Sequence, residues 1–399
     1  MDNFIKSKYT IEDLENFRDE NGFIDLTKAG VEITRESREK KGTKERLKNW
    51  IDFNGRKALL RGEVVDNYAI YAELIVEEIA KQLGIETAHY DLIKIKDEND
   101  VENFGVLSES IIDFENEQLI SLHDLIGDEP KSDDIMEEID FESATRYKFT
   151  KDKLEERLEL SGYSKEDIDK IILDYNKRLL FYLTVLDTDK HPENIAFIKE
   201  KKRNSKIKLS PNYDSEFSLL LERDKEMVKF FVEQPHGVEE EAEVQDPKIG
   251  AIVRKEDGGW DEMWRDTLEI LIEDNDEVYD YYNNNLRGKI DMDLILQRVE
   301  KRINAPLPDD VKNIAKRAYK SRNEKIEKIM NGELEIDENK QNTFDFSTML
   351  NNLINKGIQT SIRTGEQIDV GEKMKEDMDR KKTDDKDILN NFFQSLDDW

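Results

Sequence analysis

From Ser164 to Leu186 the chain reads SKEDIDKIILDYNKRLLFYLTVL, and the helical pattern then stops in the polar loop TDKHPEN. Ser164 and Asp167 stand at capping-box spacing. Ile168, Ile171, Ile172, Tyr175, Leu179, Tyr182 and Leu186 repeat at the helical period, so one buried stripe is expected. After the loop come two short apolar segments, IAFI and KIKLS, separated by the charged turn KEKKRNS. The helix must end near Leu186, where the polar loop begins, and IAFI and KIKLS then read as a hairpin across that charged turn.

That geometry gives the polar residues a meaning. Asp189 leaves the helix end, Asn194 precedes the outgoing strand, and Asp214 follows the return strand in LSPNYDSEF. A hairpin brings its own ends together, so Asn194 and Asp214 are expected to be neighbours. An amide oxygen and a carboxylate suit a hard cation such as Mg²⁺ carrying a nucleotide, and Asp189 would orient a hydroxyl for attack. Taken alone, Asp-x-x-x-x-Asn is also a capped turn in which each side chain bonds nearby backbone. His191 reads as a structural residue of the same loop.

The N-terminal third reads as strand, strand, helix, strand, strand. VEITRE from Val31 alternates like a strand, and SREKKGTKER (37–46) reads as a basic loop. NWIDF and RKALLRGE flank Asn54-Gly55, a strong hairpin signal. In AELIVEEIAKQLG, Ala72, Ile75, Val76, Ile79, Ala80 and Leu83 form a stripe that Gly84 would terminate. HYDLIKI and NFGVLSESIIDF supply two more strands. Beyond Asp113 the pattern turns helical, with further helices expected at 260–274, 291–303 and 308–330. Residues 233–249 read as an acidic loop. The expected division is an N-terminal lobe at 1–112, a helical lobe at 113–331 and a polar, partly helical tail at 332–399.

TDKHPEN, IAFI and LSPNYDSEF together resemble the catalytic loop and metal-binding segment of the HipA-like serine/threonine kinase family. The resemblance extends in order over about residues 30–330. It implies an α+β, two-lobed, protein-kinase-like fold: a small, mostly antiparallel N-lobe with one main helix, and a larger helical C-lobe. It implies ATP and Mg²⁺ as cofactors, Asp189 as catalytic base, Asn194 and Asp214 as metal ligands, and γ-phosphoryl transfer to a Ser/Thr hydroxyl of a protein, the chain itself included. Such a fold needs a strand cation for the phosphates, held by a helix carboxylate. Lys57 and Arg61 share one side of a strand; the family pattern points to Arg61, while a lysine would make Lys57 the substitute. Glu73, with Glu77 one turn later, is the candidate carboxylate. Gly42 and Thr43 occupy the place of a phosphate-covering loop, with Ser37 or Thr43 as autophosphorylation candidates. Ser108–Ile111 lies where an adenine-binding hinge would run. Alternatives are a small-molecule or lipid kinase on the same fold, an inactive nucleotide-binding scaffold, and an acidic mimic of DNA.

Composition narrows the partners. The net charge of −31 argues against direct nucleic-acid binding and suits a basic protein substrate. The absence of cysteine excludes disulfides, thiolate metal sites and cysteine nucleophiles. No apolar run approaches the ~20 residues of a membrane span, and the N-terminus lacks a secretory pattern, so no membrane association and a cytoplasmic location are expected.

Overall fold

In a computed structural model, the structure describes residues 4–33, 38–41, 44–63, 68–97, 100–126, 143–190, 192–202, 205–244, 268, 271 and 276–332. These residues belong to one compact unit. Gly42, Thr43, Ser37, His191 and the expected tail beyond Gly332 lie outside the described residues. So do most of 260–274, where Leu268 and Leu271 alone are described, both buried.

Asn54 and Gly55 both take positive φ, 54° and 99°, and close the expected hairpin between β4 (Lys44–Phe53) and β5 (Arg56–Glu63). Strands β6 (Tyr90–Lys96) and β7 (Glu102–Glu109) pair antiparallel, and β7 also pairs with β5. Two short strands unmarked by sequence alternation, β1 (Ile5–Ser7) and β2 (Ile24–Asp25), extend the sheet by parallel pairing with β4 and β6. The order is β1-β4-β5-β7-β6-β2, with β3 (Arg38–Lys41) beside β4. Two expectations are corrected here. VEITRE forms no strand over its described residues 31–33; Val31 and Ile33 instead fill the core from irregular backbone. Over its described residues the basic run at 37–46 forms the β3–β4 pair, in antiparallel register from Arg38 opposite Leu47 to Lys41 opposite Lys44.

One face of this sheet buries Leu47, Ile51, Phe53, Ala58, Leu60, Ile93, Ile95 and Leu107 under residues 5–33. Helix α1 (Ala69–Gln82) packs along β6, and Gly84 follows it at φ 69°. Its apolar stripe is buried from Ala72 to Ala80, with Leu83 half-buried, and Glu73, Glu77 and Glu78 are buried as well. Buried carboxylates need partners, and those partners define the site.

Past β7 the chain enters a second sheet, in the order β10-β9-β8: β8 (Glu117–Ser121), β9 (Ala196–Glu200) and β10 (Ile207–Leu209). The β9–β10 hairpin is the expected one; β8 falls where helix alone was expected, because pairing with β9 overrides its weak local signal. The helices are α2 (Leu122–Ile126), α3 (Ser143–Leu160), α4 (Lys165–Thr184), α5 (Lys225–Glu233), α6 (Gly237–Val244), α7 (Asp276–Tyr281), α8 (Met292–Ile303) and α9 (Asp309–Met330). Helix α6 corrects the acidic-loop reading of 233–249. Val238 and Ala242 are buried, and Arg317 of α9 binds Glu239, so the acidic run is a packed helix with a cationic partner. Among the described residues no helix is long and apolar enough to cross a membrane.

A testable consequence sits where β5 meets β7. A Cβ at Gly105 would lie 1.9 Å from the Arg61 carbonyl oxygen and 2.6 Å from the Gly62 Cα. Gly55, by contrast, has open space around its Cβ position and only a conformational demand. In urea titrations Gly105→Ala should lose about 3 kcal/mol or more, and Gly55→Ala roughly 1–2 kcal/mol. Equal losses would contradict the close approach of the two strands.

Candidate active site

Helix α4 sets the position of the loop. Ser164 caps it by accepting from the Asp167 N–H at 3.2 Å, as the spacing predicts. At the other end the Leu186 N–H donates to Leu183 O, and the Asp187 N–H to Tyr182 O at 3.0 Å, the two bonds of a Schellman cap. The left-handed position of that cap usually holds glycine, but here it is Leu186, at φ 52°. A left-handed leucine costs on the order of 1 kcal/mol, and burial of its side chain offsets that cost. The chain therefore turns sharply at the helix end and carries Asp187–Asn194 across the return segment at 213–218.

The loop is anchored from beneath. Asp187 and Lys190 are both fully buried, with Nζ 3.4 Å from the Asp187 carboxylate. The same ammonium donates to the carbonyl oxygens of Tyr213 and Asp214, each at 2.5 Å, and lies over the rings of Tyr182 and Tyr213. Burial works to lower the Lys190 ammonium, but the Asp187 carboxylate reverses this and holds it above the ordinary lysine value. Thr188 adds backbone and hydroxyl bonds to Phe217 O. Lys190 thus locks the loop to the segment that carries Asp214.

Above this lock, Asn194 donates to Asp189 twice, to the carbonyl oxygen at 2.8 Å and to the carboxylate at 3.1 Å. The amide oxygen of Asn194 is therefore the atom turned away from Asp189. Asn194 and Asp214 both line a cavity of about 340 Å³. Asp189 is not among the lining residues and meets the cavity through Asn194. Asp214 is itself in the left-handed region, φ 58°, and its N–H donates to the Tyr90 hydroxyl at 2.9 Å. An amide oxygen and a carboxylate lining one cavity are the donor types that fit a Mg²⁺ ion keeping most of its coordination for phosphate and water.

Of Lys57 and Arg61, Arg61 is the one that lines the cavity. Arg61 pairs through one terminal nitrogen with Glu73 and through the other with Asp214, and Glu216 stands 3.9 Å away. The second oxygen of Glu73 accepts from the Ser215 N–H at 2.8 Å, so one carboxylate ties α1 to both β5 and the Asp214 segment. Burial pushes the Glu73 carboxyl up, and the Arg61 guanidinium opposes it. Burial also acts to lower Arg61, but Asp214 and Glu73 raise it well above its ordinary value.

Lys57 is corrected. It shares a face of β5 with Arg61 but lies four residues away, about 13 Å along a strand. There it binds Asp52 at 2.6 Å and covers the Phe4 ring, away from the cavity. Glu77 also has other work. It accepts from the Tyr90 N–H and pairs with His89 and with Arg302 of α8, fastening α1 to the helical lobe. Ser108 of the expected hinge lines the cavity; Ser110 N–H donates to Lys57 O and its hydroxyl to Ile112 O.

Four contributors were not singled out from the sequence: Lys190, Tyr90, Asp187 and Gly105. Lys190 stands within the polar run TDKHPEN; its one sequence signal is Asp187 three residues earlier, just past the apolar end of α4.

No protein-family model and no curated protein sequence matches the chain. Solved structures do. A Helicobacter pylori proinflammatory kinase, CtkA, superposes with a TM-score of 0.50 at 13% identity, over 78% of this chain and 98% of that one. A chain of the Shewanella oneidensis toxin–antitoxin complex of HipA, HipB and operator DNA matches with a TM-score of 0.39 at 14% identity, over 75% of this chain and 65% of that one. The fold is a mixed α+β, kinase-like one.

Two outcomes follow from the buried charges. Lys190→Met strands the Asp187 carboxylate and should cost about 3–5 kcal/mol in chemical denaturation; Asp187→Asn with Lys190→Met should recover part of that loss. Glu77 raises His89 above its ordinary value of 6.5 by accepting a hydrogen bond from it. The sign is that of a cation favoured in the folded state. The contribution is complete below pH 6.5 and fades as pH rises through the higher folded value. Denaturation midpoints should therefore fall through that window in the wild type and stay flatter in His89→Gln.

Proposed function

We propose that this chain is an ATP- and Mg²⁺-dependent phosphotransferase acting on a serine or threonine hydroxyl of a protein. The observation that carries the reading is the convergence on one cavity of Asn194, Asp214 and the Arg61–Glu73 pair, with Asp189 bonded to Asn194. The kinase-like fold supports it independently.

The residues have distinct tasks in this reading. Asp189 accepts the proton of the acceptor hydroxyl as its oxygen bonds to the γ-phosphorus; the bond from that phosphorus to the β–γ bridging oxygen breaks, and ADP leaves with the electron pair. Asn194 and Asp214 would hold Mg²⁺, which when bound neutralises charge on the phosphate oxygens. Arg61 keeps the cavity wall cationic, and Glu73 fixes where that charge stands. Gly62 and Gly105, paired across β5 and β7, line the cavity beside Arg61. The net charge of −31 favours a basic acceptor protein.

Asp189→Asn should lower kcat by about 10²–10⁴-fold while the KM for ATP changes little. Chelation of divalent metal should stop transfer altogether. With γ-labelled ATP and a cell extract, label is expected in protein. Label appearing only in metabolites would reassign the acceptor to a small molecule. A wild type that shows no transfer with Mg²⁺ and is indistinguishable from Asp189→Asn would end the enzymatic reading.

A further inference from the structure

Arg61 is heavily committed. Both of its terminal nitrogens are already bound to carboxylates, one to Glu73 and one to Asp214, and a third carboxylate, Glu216, stands beside it. The side chain is only 19% exposed. A cation in this state organises its own protein, and a phosphate chain entering the cavity would have to compete for it. The cavity lining carries four carboxylates, Glu73, Glu193, Asp214 and Glu216, so a polyphosphate needs more positive charge than Arg61 supplies.

A second cation faces the same space. Lys48 of β4 is the Cα partner of Arg61 of β5, so the two side chains project from the same face of the sheet. Lys48 lines the cavity and is exposed. Like charges directly opposed on one sheet face are destabilising, and the carboxylates on Arg61 offset that. An ammonium on a four-carbon stem reorients more readily than a guanidinium fork fixed by carboxylates on both terminal nitrogens.

We propose that Lys48 is the cation that meets the β- and γ-phosphates, while Arg61 is the positioning residue that sets Glu73 and Asp214. The inference rests on the nucleotide-binding reading above and deepens it. It moves the phosphate-holding lysine one strand over, onto β4, and leaves an arginine where a lysine would ordinarily stand. The ligand class is a nucleoside polyphosphate, and the gain from Lys48 should grow with the number of phosphates.

Calorimetric titration of the full chain with Mg-ATP, Mg-ADP and adenosine separates the possibilities. Lys48→Met should weaken Mg-ATP binding about tenfold or more and leave adenosine within about twofold; Lys48→Arg should restore much of the Mg-ATP affinity. Because Lys48 is exposed, the melting temperature should stay close to wild type. If Lys48→Met does not fold, Lys48→Gln takes its place in the same comparison. Unchanged Mg-ATP affinity in Lys48→Met, with a wild type that binds Mg-ATP more tightly than adenosine, overturns the role of Lys48 and leaves the phosphotransferase reading standing. Equal loss for ATP and adenosine also overturns it, because that marks a general disturbance of the cavity. A wild type that binds none of the three overturns both readings together.

Discussion

Three carboxylates around one guanidinium govern this structure. Glu73 is buried on a helix and would be costly there without a partner; Arg61 supplies one, and through Asp214 extends the pairing to the loop beyond β10. Removing either partner would leave an uncompensated charge in a low-dielectric setting. The pairing therefore fixes three elements at once: strand β5, helix α1 and the Asp214 segment. The Glu77–Arg302 pair and the bond from Tyr90 N–H to Glu77 act on the same helix one turn later, and hold it against the helical lobe. Helix α1 is thus set in place by charge as much as by apolar contact.

The loop from Asp187 to Asn194 is held by a second, separate device. Lys190 carries its charge fully buried because one carboxylate, two carbonyl oxygens and two aromatic faces share it. The left-handed backbone of Leu186 and Asp214 lies at either side of this lock. Strained positions persist where surrounding structure over-determines them, and here the ion pair and the Schellman cap do so. The two devices meet at Asp214, whose carboxylate belongs to Arg61 and whose carbonyl belongs to Lys190. The two devices together fix the backbone on which Asn194 and Asp214 stand.

Much of the framework was legible in local pattern. The hairpin at Asn54-Gly55, the stripe of α1, the cap at Ser164 and the β9–β10 hairpin all arise from neighbours in sequence, and each appears where its spacing points. What local pattern missed was made by distant partners. Strand β8 exists because β9 pairs with it, β1 and β2 because β4 and β6 accept them, and α6 because Val238 and Ala242 are buried and Arg317 reaches Glu239 across 78 residues. Val31 and Ile33 alternate like a strand yet belong to irregular chain, since a core needs apolar side chains and does not require that they come from strands.

The sequence by itself determined which residues could do chemistry at the end of helix α4. Asp189, Asn194 and Asp214 are tied to a helix end and a hairpin, and short-range geometry brings such positions together. Periodicity did not separate Lys57 from Arg61, because they share a strand face and it says nothing about position along that face; the family resemblance pointed to Arg61. The tertiary structure gives the physical separation. Asp52 and Phe4 claim Lys57 at one end of the hairpin, and Glu73 and Asp214 claim Arg61 at the other. The identity of a buried ion's partner is a long-range fact, set by which charges cannot be left unpaired once water is excluded.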